Sequence, residues 1–462
     1  MIRIRRGALA ALLALALPLP LASAGSASVA GSDAPATTTK AARAAKSAWA
    51  AKTANATPTA PAASATPTAL QGAPSPQPSL PPATATAPSP LALPRPTGPY
   101  AVGRDSLHLV DPRRKDPWEP SSHGRELMVS LYYPARTGTG RPAPYMTTAE
   151  AATFLDRQRQ TGQLPPEAGQ LPPEVFSGTR TNTHTGALPA HGGALPVRGK
   201  AGGKHPLVVL SPGFGLNRAT LSVLAEDLTS RGYVVALVDH AYEADASFPG
   251  GRVLRCVACE KLDPKASPDA VEAFMATVAR NRAKDVGFLL DRILPGHHPA
   301  WKYSSLIDPK RVGMAGHSIG GATAGTAMAG DSRIRAGVNL DGSMSDPLPE
   351  QGLNGRPFLL FGGQETGHSG TDKTWDTSWP RLNGWKRWLT VTGATHLTFT
   401  DIPALAQQAG LPTPQGTVPG PRGSDLTRTY VSAFFDRHLR GIPHPLLDGP
   451  APATPEILFH HP

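Results

Sequence analysis

Val312-Gly-Met-Ala-Gly316-His-Ser318-Ile-Gly320-Gly-Ala-Thr-Ala-Gly325 says more about the architecture than any other stretch of this chain. An apolar run enters it, a small-residue helix over about 320–329 leaves it, and Gly316-His-Ser318-Ile-Gly320 between them fits G-x-S-x-G. Glycines two residues either side of the serine let strand and helix approach closely at a strained turn, which lifts the hydroxyl above a sheet. The bare pattern is common, and a glycine-rich structural turn is the competing account. The strand–turn–helix setting is what favours a nucleophile.

Outward from this turn, strands and helices alternate. Pro206-Leu-Val-Val-Leu210 and Tyr233-Val-Val-Ala-Leu-Val238 are short apolar β runs, with helices expected over about 219–231 and 269–293. Beyond Ser318 come Ala336-Gly-Val-Asn-Leu340, Pro357-Phe-Leu-Leu-Phe361 and Arg387-Trp-Leu-Thr-Val391, then a last helix over about 426–439. Two earlier strands, Ser106-Leu-His-Leu-Val110 and Glu126-Leu-Met-Val-Ser-Leu-Tyr-Tyr133, are expected to pair with each other. Residues 143–204 read as a long polar insertion with one short helix near 148–159. Alternation of this kind predicts an α/β domain over 97–462: a mostly parallel, doubly wound sheet with helices on both faces, the α/β-hydrolase fold.

A serine hydroxyl is too weakly acidic to attack unaided; it needs a base, and the base an orienting carboxylate. In this fold the order is serine, acid, histidine. His396, after the last apolar strand, fits the base. His368 precedes that strand, and His317 is the variable residue of the turn, expected to point away from the hydroxyl. His438, His444, His460 and His461 lie in the last helix and tail, where solvated side chains are expected. Two acids fit the third role, Asp341 in Asn339-Leu-Asp341 and Glu365 in Phe361-Gly-Gly-Gln-Glu365, and strand order alone leaves both open. For the oxyanion, the N–H of Ile319 is one expected donor. The N–H of Phe214, in Ser211-Pro-Gly-Phe-Gly215, is the other.

The N-terminus reads differently. Arg3, Arg5 and Arg6 precede an Ala/Leu run, and small-x-small sites end at Ala24 and Ala30, so residues 1–30 are expected to be a secretory signal peptide. Pro18 and Pro20 interrupt the run, which argues against a membrane anchor, and no later stretch is long and apolar enough to span a bilayer. No cysteine follows the run for lipid attachment. Residues 31–96, with Ala56-Thr-Pro-Thr-Ala60 and Ala73-Pro-Ser-Pro76, are expected to be a disordered Ala/Pro/Thr-rich linker, too poor in apolar surface to pack. Leader and linker carry +7 of the formal +11, leaving +4 on residues 97–462 and no electrostatic case for nucleic acid. Cys256 and Cys259 are the only cysteines; in an oxidising compartment the pair is expected to close a small disulfide, since nothing nearby completes a metal site.

Tyr100-Ala-Val-Gly103, Leu131-Tyr-Tyr-Pro134, Ser211-x-Gly-x-Gly215, Val238-Asp-His240, Gly316-His-Ser-Ile-Gly-Gly321, Leu340-Asp341 and His396, in that order, resemble the platelet-activating factor acetylhydrolase family. The resemblance spans about residues 98–440. It implies a calcium-independent serine esterase or lipase with no metal or organic cofactor, and it favours Asp341 as the acid. Two departures stand out: Pro212 where the family often has His, and Gly342-Ser343 where it has an aromatic residue near the acid. Secreted bacterial polyester hydrolases have a similar elbow but place the acid where Glu365 lies.

The expected protein is therefore a secreted carboxylic ester hydrolase, held at the cell wall or free, acting on a small lipid or other ester. A polyester or cutin-like substrate is the alternative within that class. A non-catalytic cell-wall binding protein on a hydrolase scaffold is the alternative outside it. Nothing in the sequence indicates an oligomeric state.

Overall fold

The structure, a computed structural model, describes residues 90–160, 171–190, 204–365, 367 and 370–460. The expected signal peptide, and the expected linker up to residue 89, lie outside these. Backbone pairing joins eleven strands into one sheet. Six run parallel and adjacent: β6 (Val234–His240), β5 (His205–Ser211), β9 (Ile307–His317), β10 (Ile334–Leu340), β11 (Phe358–Gly362) and β12 (Lys386–Val391). Beside β6, β2 (Arg125–Ala135) and β1 (Ala101–Asp111) add antiparallel strands, so the sheet is mixed. β7 (Ala246–Phe248) and β8 (Arg252–Leu254) form a separate hairpin.

The apolar runs exist because both faces of the sheet are covered. Successive side chains of a strand point to opposite faces. Leu207 and Val209 of β5 therefore join one core while Val208 and Leu210 join the other. The first core is closed by α5 (Pro268–Ile293) and α6 (Ile319–Gly330). The second is closed by α3 (Ser222–Ser230) and α9 (Gly420–Arg440). This is the α/β-hydrolase arrangement. All six parallel strands end at one edge, so the loops after β5, β9, β10, β11 and β12 gather there, where ligands of open α/β sheets bind.

Five strands escape the sequence reading, the two of the β7–β8 hairpin and three of the main sheet. β3 (Arg141–Pro144) straddles the start of the insertion, which contains α1 (Thr148–Gln160), α2 (Glu174–Ser177) and β4 (Arg180–Thr185), and the two strands extend the sheet beyond β1. At the opposite edge β13 (Ile457–His460) pairs antiparallel with β12. β3 and β13 are the sheet's two edges and only four residues long, too short to show an alternation, and β4, between β1 and β3, is polar throughout. The remaining short helices are α4 (Val257–Lys261), α7 (Lys373–Ser378) and α8 (Ile402–Gln408). Among the described residues no helix is long and apolar enough to cross a membrane.

The boundary read at residue 96 falls late, because residues 90–96 already dock. Leu91 and Leu93 are buried against Tyr145, Phe154 and Phe176. The backbone is tied there too: Leu93 N–H donates to the Arg180 carbonyl and Arg180 N–H to that of Leu91, at 2.9 and 2.8 Å. Burying a leucine contributes roughly 1.5–3 kcal/mol. A chain beginning at residue 97 should therefore melt on the order of 5 °C below one beginning at residue 90. Equal melting temperatures in scanning calorimetry would remove any role for this docking.

Candidate active site

β9 ends at His317 and α6 begins at Ile319, leaving Ser318 alone at the turn with φ 55° and ψ −127°. Positive φ is costly for a residue with a Cβ and is kept where surrounding structure over-determines it. Here the glycines do so. A Cβ on Gly320 would fall 2.0 Å from the Ser211 carbonyl oxygen, and one on Gly316 would fall 2.3 Å from the carbonyl carbon of Gly320. The helix can approach β5 and β9 this closely only without those side chains. Ser318 N–H donates to the Leu340 carbonyl at 2.8 Å, which ties the turn to the end of β10.

The residue that follows β10 is Asp341, buried and also at positive φ (60°). Its Oδ2 lies 2.6 Å from His396 Nδ1, and its Oδ1 accepts the Gly363 N–H at 2.7 Å. With a carboxylate facing Nδ1, the neutral ring carries its proton there and leaves a lone pair on Nε2. Glu365, the other candidate acid, is exposed past the end of β11 and makes no bond to His396. The hydrogen-bond chain ends at His396: the half-buried Ser318 hydroxyl sits in the adjoining turn without a bond to the ring. Such contacts are often long before substrate arrives.

His317 has a larger part than the sequence suggested. Its buried ring lies 4.5 Å, centroid to centroid, from that of His396, and its Nε2 donates to the His396 carbonyl at 2.8 Å. Burial, with His396 beside it, lowers its pKa to about 3, so it stays neutral. Its other face meets the loop after β5, where a Cβ on Gly213 would lie 2.8 Å from His317 Nδ1. The elbow thus touches the histidine loop on one side and the expected oxyanion loop on the other.

That oxyanion loop holds Phe214 between Gly213 and Gly215, whose N–H donates to the Glu243 carbonyl at 3.0 Å. Ile319, first residue of α6, has no carbonyl one turn back to accept its N–H. Cys256 and Cys259 are joined as a disulfide at the start of α4, and a Cβ on Gly215 would lie 3.5 Å from Cys259 Sγ. His438 is not solvated as expected; it is half-buried between Trp385 and Phe434, with its pKa lowered to about 4 mainly by burial. His460 belongs to β13 and bonds Thr390 Oγ1 at 2.8 Å. His368 and His461 lie outside the described residues.

Residues 86–248 and 285–429 match the family described as platelet-activating factor acetylhydrolase, isoform II. The chain belongs to this family. It is 29% identical over 403 residues to a probable 1-alkyl-2-acetylglycerophosphocholine esterase of Arthroderma benhamiae, covering 79% of this chain and 93% of the relative. Platelet-activating factor acetylhydrolase of Cavia porcellus is 25% identical over 260 residues, which are 52% of this chain and 59% of that enzyme. Among solved structures, a ferulic acid esterase from Streptomyces cinnamoneus superposes with a TM-score of 0.68. It is 41% identical, and the match covers 80% of this chain and 99% of that one. The family match carries Ser211, His240, Ser318, Asp341 and His396 but omits residues 249–284, which hold the disulfide and most of α5. Two charged residues of α5, Arg282 and Asp285, lie fully buried behind the Phe214 loop. In sequence they read as ordinary helix charges, and only the helical i, i+3 spacing hints at a shared face.

Proposed function

We propose that the chain is an exported serine carboxylic ester hydrolase working through an acyl-enzyme. The observation that carries this reading is the Asp341–His396 pair beside a serine held at positive φ. In it, His396 Nε2 takes the Ser318 proton as Oγ bonds to the ester carbonyl carbon, and the carbonyl π pair moves to oxygen. The N–H groups of Phe214 and Ile319 hold that oxyanion. Collapse breaks the bond to the alcohol, which leaves with the proton from His396. Water then repeats the sequence, freeing the acid and restoring Ser318. Asp341 keeps the proton on Nδ1 and stabilises the imidazolium.

Small lipid esters with a short acyl group are the first substrate reading, supported by the fungal relative and the family. A second reading, hydroxycinnamate esters, has support of its own. The Streptomyces relative is the more similar in sequence. In addition, Phe214 packs edge-on to Phe274 at 6.0 Å, and Phe274 stands 5.3 Å from Trp118, which puts an aromatic row beside the oxyanion loop. A fluorophosphonate probe is expected to label Ser318 alone. An ester panel should then rank acetyl glycerophospholipids, methyl ferulate and a soluble polyester. No labelling and no turnover would return the chain to a non-catalytic wall-binding scaffold. Methyl ferulate turned over tenfold faster than the lipids would replace the first substrate reading with the second.

A further inference from the structure

A second Ser–His–Asp chain lies behind the oxyanion loop. Ser211 Oγ is 3.1 Å from His240 Nε2, and His240 Nδ1 is 2.7 Å from Asp285 Oδ2. No ester reaches it, since Ser211, His240 and Asp285 are 1%, 3% and 0% exposed. The hydroxyl is also saturated. Burial, followed by the charge of Arg282, lowers the His240 pKa, so the ring stays neutral and its Nε2 accepts the Ser211 proton. Arg282 Nη1 in turn donates to Ser211 Oγ at 3.2 Å.

Arg282 joins this chain to both ends of the loop. Its Nη1 donates to the Pro212 carbonyl at 2.5 Å and its Nε to Glu243 Oε2 at 2.6 Å. Glu243 holds the other end, because its backbone carbonyl accepts the Gly215 N–H. Arg125 locks the cluster from below. It donates to Asp285 at 2.7 Å and to Glu243, Asp116 and the Ala241 carbonyl at 2.8 Å each. Although burial alone would raise the Asp285 carboxyl, Arg125 and His240 hold it far below the ordinary range. Burying this many charges is expensive, and apolar side chains of similar volume often stabilise a core better. Stability alone is a poor reason to keep them; a loop needing one fixed backbone orientation is a better one.

We propose that Arg282, with the Ser211–His240–Asp285 chain behind it, positions the oxyanion loop, fixing the Pro212 carbonyl and the Gly215 N–H so that the Phe214 N–H keeps one orientation beside Ser318. This rests on the ester-hydrolase reading. Ser211, His240 and Asp285 lie within the segments matched to the family, and Arg282 lies outside them. Transition-state charge, and not substrate binding, is what it serves.

The test uses R282K, which can keep an ion pair with Glu243 but cannot hold Pro212 and Ser211 as well, and the milder S211A. For R282K, kcat should fall between about tenfold and a hundredfold, with KM within about twofold; losing one oxyanion donor outright costs about 10²–10³-fold. S211A should lose several-fold. Affinity for a trifluoromethyl ketone, whose hemiketal oxygen mimics the oxyanion, should fall in step with kcat/KM in both variants. A lowered melting temperature with kcat and ketone affinity unchanged would overturn the proposal. If R282K does not fold, S211A decides on the same readouts. Fluorophosphonate labelling and S318A run alongside. An active S318A sinks the parent reading, whereas a dead S318A with unaltered ketone affinity in both network variants sinks this inference alone.

Discussion

Replacing Ser318 with alanine is expected to lower kcat/KM for ester hydrolysis by on the order of 10⁵-fold or more, with the fold intact. In the proposed mechanism Ser211 cannot replace it as the acyl-enzyme nucleophile: among the described residues it is the serine bonded to a histidine, but it is buried and already saturated. The fold should survive for a local reason. What ties this residue down is its backbone, through Ser318 N–H to Leu340 and the Gly321 N–H to the Ser318 carbonyl, both at 2.8 Å. Alanine keeps those bonds and suffers no more strain at φ 55° than serine does. Turnover and melting temperature measured on the same preparation check both halves. Residual activity within tenfold of the parent, at an unchanged melting temperature, would move the nucleophile elsewhere.

The elbow was legible because its requirements are written in residue type. Only glycine lets α6 come that close to Ser211, and glycine is visible in a sequence. The central strands were legible for a similar reason: burial on both faces demands an unbroken apolar run, as in Val234–Val238 of β6. The strands beyond β1 make no such demand. β4 is Arg180–Thr185, all polar, and its place in the sheet depends on backbone pairing to β1 that no side-chain pattern announces.

The candidate site divides along the same line. The order serine, acid, histidine could be read from strand positions, but the choice between Asp341 and Glu365 depends on loop geometry. Asp341 turns toward His396 through a positive φ and a bond from Gly363, neither of which a strand-end carboxylate advertises. His317, Arg282 and Asp285 bond partners 79, 70 and 45 residues away in the chain, through tertiary contacts alone. Buried charge in a helix looks like surface charge until its partners are known.

The acid is the second large effect. Asp341→Asn is expected to lower kcat by about ten-thousandfold, as the same change does in other serine hydrolases, and Glu365→Gln by less than about fivefold. The reason is visible in bonds that Asp341 accepts from Gly363 N–H and from His396 Nδ1. An asparagine has one acceptor oxygen for these two donors. Turned toward His396, the oxygen leaves the amide N–H₂ facing the Gly363 N–H, donor against donor. Turned toward Gly363, it presents an N–H to His396 Nδ1, which then takes the lone pair and moves the ring proton to Nε2. A histidine protonated at Nε2 cannot accept the serine proton. Glu365 offers no comparable constraint, since it is exposed and bonds no part of the histidine. Steady-state kinetics of the two variants on one short-acyl ester check this. A larger loss for Glu365→Gln would hand the role to the later strand end and make the polyester hydrolases the better guide.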